Sequence, residues 1–292
     1  MTRRLLLITG WMIWAWTTPA QQSFMTPGSA AYRIMHQMQD FDYAGARQSL
    51  SREKSGMVPA EYAFLQVNYY WWMMVSDPHQ PAWRDSLVQA MDRVDSLLPH
   101  TITDTRDYYI RLMNFGYRYR LAFKEDRFVD GLRYAHKTAT RIRYALDHAR
   151  ESPFLKLTAA IYLFSTGYGE KEYWYLKPYF LLIPRGDMQK GLAYLDELTK
   201  NDNPVLATES AYVAARIYKD MLGNYHRTAR LLENLVDRHP HNLFYRAMLI
   251  RTKKTLGLPT GEDEQTYRQY WAQTSFVTPG QKKFYARWQN IP

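Results

Sequence analysis

The chain reads as all-α. Apolar residues recur at steps of three and four almost throughout, and beyond Gln21 no strand-like alternation extends past a few residues. Breaks carrying glycine, proline or small polar residues separate these stretches at regular intervals. With 292 residues and 46% hydrophobic content, the chain can bury one large core or a row of smaller stacked ones. Aromatics make up 15% of it, including 24 Tyr and 9 Trp, enough for both packing and binding surfaces.

The first element is not part of the fold. Arg3 and Arg4 precede an apolar run from Leu5 to Trp16, and Thr17, Thr18, Pro19 and Ala20 follow it. Charge, then a short apolar stretch, then small residues is the order of a secretory signal peptide, so residues 1–20 are expected to be removed and the mature chain to start at Gln21. The run is twelve residues long. A bilayer crossing needs roughly 20, which makes a permanent anchor the weaker reading. There is no cysteine, so packing alone must hold the exported protein. The expected location is therefore exported, periplasmic or outer-membrane-associated in a bacterium. The net charge is +10; without Arg3 and Arg4 the balance is 36 basic against 28 acidic residues, or +8. This favours acidic partners, including acidic proteins and anionic lipid, and an exported chain has no nucleic acid to meet.

From about residue 25, helices follow one another up to Gly257. Their breaks fall at Ser55-Gly56, Asp77-Pro78, Pro99-His100, 124–126, Ser152-Pro153, Arg185-Gly186, Asn203-Pro204, Gly223-Asn224, His239-Pro240 and Gly257-Leu258-Pro259. Glycine ends a helix by adopting a left-handed turn and proline by lacking an amide donor. The clearest helix carries Phe128, Leu132, Ala135, Ala139, Ile142, Leu146 and Ala149 on one face. In the tail from 258 to 292, two charged and aromatic helices are expected near 262–273 and 280–289, where they would cap an open end.

Two stretches show the same frame. "GDMQKGLAYLDEL" from Gly186 and "GNYHRTARLLENL" from Gly223 both begin with glycine, a polar residue and a large apolar residue, 37 residues apart. Gly223 and Asn224 are expected to make a turn between antiparallel helices, with Tyr225 packing into the hairpin and Pro240 closing it. Ala211, Ala215 and Tyr218 precede that turn at helical spacing. In this order of residues the chain resembles the tetratricopeptide-repeat (TPR) family, whose helix-turn-helix units run about 34 residues. It also resembles the divergent members that Bacteroidetes-type bacteria export, where a glycine-tyrosine segment like Gly167-Tyr168 precedes a "GD" turn like Gly186-Asp187. The resemblance implies a right-handed α-solenoid of antiparallel hairpins over 21–257. It also implies a non-catalytic scaffold that binds a protein or peptide along its concave face.

No catalytic signature emerges. His239 and His241 flank Pro240 without a supporting metal motif and read as solvated turn histidines. His136 and His148 sit about 120° apart on one helix and cannot share an ion. Asp92 with Asp95, Asp104 with Asp107, and Glu170 with Glu172 read as caps and surface charges, Asp104 being a good helix start. No cofactor is expected. Two clusters carry the binding expectation. Arg133, Lys137 and Arg141 form a basic stripe in a stretch, 111–150, with ten basic residues against four acids. The insertion "YGEKEYWYLKPYFLLIP" places Tyr173, Trp174 and Tyr175 where they cannot all face inward, so it is read as either an exposed aromatic surface or a lid. The alternative reading is glycan binding or cleavage on a helical scaffold, with exposed Trp and Tyr stacking on sugar rings. "NYYWWMMV", at 68–75, reads as core.

Overall fold

The computed structural model describes residues 24–290. The expected signal segment and the mature start at Gln21 lie outside the described residues. Among those described there are fourteen α-helices and no strand. They are α1 (Ala30–Gln39), α2 (Tyr43–Glu53), α3 (Pro59–Ser76), α4 (Pro81–Leu97), α5 (Thr105–Lys124), α6 (Phe128–Asp147) and α7 (Pro153–Glu172). After these come α8 (Lys177–Phe180), α9 (Met188–Leu198), α10 (Pro204–Asp220), α11 (Tyr225–Arg238), α12 (Leu243–Thr255), α13 (Gly261–Gln273) and α14 (Pro279–Ala286). Each break read from the sequence falls at a helix boundary, with Lys124 as the last residue of α5 and Pro153 and Pro204 as the first of α7 and α10.

Local chemistry accounts for the boundaries. Asp42, Asp104, Asp187, Asn203, Asn224 and Asn242 each accept a hydrogen bond from an amide of the first turn they precede. Pro59, Pro81, Pro153, Pro204 and Pro279 open their helices, where the missing amide would have had no partner. Gly223 stands at φ +62° after α10, and the amide of Asn224 donates back to Tyr218 O at 2.8 Å. Replacing Gly223 with valine should cost about 1–3 kcal/mol, because a β-branched residue strains a left-handed turn. Denaturant unfolding measures it, and an unchanged midpoint would show that the turn tolerates a side chain.

The helices pack in pairs: α1 with α2, α3 with α4, α5 with α6, α7 with α9, α10 with α11, and α12 with α13. The first members of the pairs touch in succession, α1 to α3, α3 to α5, α5 to α7 and α7 to α10, and α10 then returns to α1. The row is closed. Gln39 Nε2 donates to Val205 O at 3.0 Å, and Asn242 Nδ2 donates to Gln39 O at 2.7 Å. The tail joins this closure: α14 packs on α3, and the Tyr285 ring meets Phe41 edge-on at 4.8 Å. Phe24 inserts among Phe64, Tyr109 and Phe154 of α3, α5 and α7. The N-terminal hairpin is thus set against the fifth pair, through α1 on α10, and not left at a free end of the row.

Candidate binding site

A cavity of about 430 Å3 lies between α5, α6, α7 and the segment 173–183. The apolar stripe of α6 supplies one wall with Phe128, Leu132, Ala135, Ala139 and Ile142. Phe128 and Leu132 are 52% and 36% exposed because they face this space, whereas Ala139 and Ile142 are buried. Opposite them, α5 offers Gly116, where a side chain would meet nothing within 4 Å. The insertion forms the lid. A short 3-10 turn, Trp174–Leu176, runs into α8, and Tyr173, Tyr175, Tyr179, Phe180 and Ile183 face the cavity. Its far end is tied down by Tyr162 of α7, whose hydroxyl donates to Pro184 O at 2.6 Å. Burial pushes the Tyr162 phenol up to about 12, so it remains a donor.

The polar groups of the cavity are hydroxyls and one cation. Aliphatic hydroxyls come from Thr138, Thr158, Ser165 and Thr166 and phenols from six tyrosines, and among the described lining residues Arg120 alone is charged. Among the described residues Arg120 makes no ion pair; its guanidinium lies 6.0 Å from the Tyr117 ring. Tyr117 donates to Asn68 Oδ1 at 2.6 Å, and burial raises its phenol far above the ordinary range. Glu209 of α10 stands in the same interior. Burial raises its carboxyl, against the pull of a hydrogen bond from Gln39 and the charge of Arg120. The Tyr179 hydroxyl is buried at the cavity wall with no hydrogen-bond partner among the described residues.

The residues singled out from the sequence separate into groups. Tyr173 and Tyr175 line the cavity; Trp174 does not, and it is 73% exposed on the outside of the lid. The lid thus presents aromatics on both faces. Arg133, Lys137 and Arg141 are exposed but lie roughly 180° around α6 from its cavity wall, at 100° per residue. Arg133 pairs with Asp130 at 3.1 Å, Lys137 lies over Tyr134, and Arg141 lies over Phe115. The basic stripe and the aromatic insertion are therefore not one surface. Tyr225 is half-buried, and Pro240 O accepts from Arg246 Nε at 2.6 Å. Gly186 has no left-handed turn to make. It touches α7, where an added Cβ would sit 2.1 Å from Gly167 N. The paired "GY" and "GD" segments are a backbone-to-backbone contact.

One histidine reading is corrected. His239 is 2% exposed, not solvated, because it ends α11 against α1 and α10; His241 is exposed. The Nδ1 of His239 lies 2.5 Å from Asp40 Oδ1, and its Nε2 lies 2.7 Å from Thr208 Oγ1. Hydroxyl, imidazole and carboxylate in a row resemble a nucleophile relay. Thr208 is wholly buried, however, and lines neither cavity, so the row serves as a structural tie. Asp92 and Asp95 pair with Arg118, and Asp104 caps α5. Among the described residues no group of three or more His, Asp or Glu is placed to hold a metal ion.

The sequence reading missed Gly116, Arg120 and Tyr179. A glycine inside an otherwise aromatic helix was the one available signal. Comparison with models of protein families, with curated proteins and with solved structures finds no match to this chain.

Proposed function

We propose that the chain is an exported, non-catalytic binding module, a TPR-like right-handed solenoid closed on itself. In this reading it holds an apolar side chain of a protein or peptide partner, with an acidic group beside it, in the cavity under the aromatic lid. The observation that carries this reading is the cavity itself, whose size falls within the usual range of ligand sites. Its walls suit an aromatic or aliphatic side chain, and Arg120 supplies a cation for a neighbouring carboxylate. The peptide backbone would stay outside, since taking its amides from water into a largely aromatic and aliphatic space costs more than burying a side chain. Glycoside cleavage needs two carboxylates across a sugar ring, and the lining residues include none, which favours binding. The pairing of helices, the Gly223 turn and the buried Ala211, Ala215 and Tyr218 support the TPR-like reading.

The test is selection from a random peptide library followed by titration of the enriched peptides. The expected motif is an aromatic or aliphatic residue next to Asp or Glu. Gly116→Leu, which fills the cavity from α5, should weaken binding by about 1–3 kcal/mol, as should Arg120→Glu. Gly116→Ala should instead stabilise the fold by about 0.5–1 kcal/mol, since the position is helical and has open space beside it. No enriched motif, binding indifferent to Gly116→Leu, or saturable binding of soluble oligosaccharides that Gly116→Leu abolishes would each overturn the peptide reading.

A further inference from the structure

The outer face of the lid is unexplained by the cavity beneath it. Leu181 and Leu182 are 86% and 82% exposed and Trp174 is 73% exposed, and none of the three lines the cavity. They stand on one short segment whose Tyr175, Tyr179 and Ile183 side chains line the cavity. From the same stretch of chain, Lys171, Lys177 and Arg185 gather at a second surface depression, and none has an ion-pair partner among the described residues. Two carboxylates line the same depression. Asp187 is engaged as the cap of α9, accepting from Lys190 N at 2.9 Å, and Glu170 projects from α7. Glu172 is nearby in sequence and exposed, so the segment 170–187 carries three basic and three acidic residues; the depression itself is lined by all three cations and by two of the acids, one of them engaged as a cap.

We propose that this face docks on an anionic lipid surface, Trp174, Leu181 and Leu182 entering the acyl boundary while Lys171, Lys177 and Arg185 meet lipid phosphates. Two consecutive leucines in a turn, each more than four-fifths exposed, offer apolar side chains with almost no protein packed around them. A fluid acyl layer requires no shape match. Trp favours the boundary between headgroup and hydrocarbon, and unpaired Lys and Arg favour an anionic headgroup layer. Among the described residues no helix is long and apolar enough to cross a membrane. The surface is separate from the cavity, and each can fail without the other.

Co-sedimentation of the full chain with vesicles decides it. The vesicles are phosphatidylcholine alone or an equimolar mixture of phosphatidylcholine and phosphatidylglycerol. The wild type should partition onto the mixed vesicles and much less onto the neutral ones, and rising salt should release it. Trp174→Ser with Leu181→Ser and Leu182→Ser should lower partitioning about a hundredfold, from lost apolar burial. Lys171→Glu with Lys177→Glu and Arg185→Glu should lower it at least about tenfold on mixed vesicles and leave the neutral ones unchanged. All six positions are exposed, so far-UV circular dichroism should be unaltered. Gly116→Leu should leave partitioning untouched, which separates this surface from the peptide cavity. Inorganic phosphate at matched ionic strength should not compete. Equal partitioning on both vesicle types, or none on either, would overturn the proposal. So would concentration-dependent self-association that the serine variant abolishes, because a second copy would then cover the patch.

Discussion

Replacing Asp40 with alanine is expected to destabilise the protein by about 2–4 kcal/mol, because it leaves a buried imidazole N–H without its acceptor. Asp40 ends α1 and joins two histidines: His36 Nδ1 at 2.8 Å and His239 Nδ1 at 2.5 Å. The second contact spans 199 residues of chain and draws the junction of α11 and α12 onto α1. His239→Ala should do comparable damage, since it also strands the Thr208 hydroxyl. His36→Ala should cost only about 0–1 kcal/mol, because its pair with Asp40 is more than a third exposed on both sides. Equilibrium denaturation of the three variants gives this ranking, and equal losses for Asp40→Ala and His36→Ala would show that closure does not pass through His239.

The same tie has a pH signature. Burial alone would raise the Asp40 carboxyl, but hydrogen bonds from His239 and His36, with their charges, hold it well below its ordinary 3.8. Its contribution is therefore fully present above that value and is lost as pH falls through the lowered one. His36 is shifted the other way, its hydrogen bond to Asp40 outweighing burial and raising it above 6.5. That contribution is complete below 6.5 and fades as pH rises through the raised value. The wild type should gain most over Asp40→Ala between about 4 and 6.5, with the gap narrowing on both sides.

What the sequence made legible was local. Caps such as Asp104 and Asn224, first-turn prolines and the α6 stripe act within a few residues, and from them helix positions and breaks can be read. The closure was not legible, because Asp40 with His239 and Gln39 with Asn242 are partners some two hundred residues apart. His239 looked like a turn residue because proline follows it, and nothing near it in sequence announces the carboxylate it meets. The cavity was half legible. Tyr173 and Tyr175 stood out as residues that one short helix could not bury together, but the α6 stripe gave no sign that Phe128 and Leu132 face open space rather than a neighbouring helix. Gly186 was noticed as a turn, and its actual constraint is the approach of another backbone.

That constraint makes Gly186→Ala the second large expected effect, a loss of about 3 kcal/mol or more. The added Cβ would lie 2.1 Å from Gly167 N, 2.6 Å from Gly167 Cα and 2.6 Å from Thr166 C. All three are backbone atoms inside α7, so no side chain can swing aside. The two segments have to part. Gly191, in the first turn of α9, is also held against α7, its Cβ position lying 2.7 Å from Phe164 N and 2.8 Å from Ala160 O. Separation at Gly186 therefore levers on the whole packing of α7 against α9. It also frees the returning end of the lid, where Pro184 is bonded to Tyr162, so peptide binding in the cavity should fall together with stability. Gly223→Ala sets the scale for a purely conformational penalty: at φ +62°, with nothing within 4 Å of the added atom, it should cost only about 1 kcal/mol. Gly167→Ala should fall between them, its nearest contact being Met188 N at 3.0 Å. Thermal and denaturant unfolding of the three variants should rank Gly186→Ala above Gly167→Ala above Gly223→Ala. A Gly186→Ala protein as stable as the Gly223→Ala one would show that α9 can move off α7 freely, and with it the lid could not hold the cavity in a fixed shape.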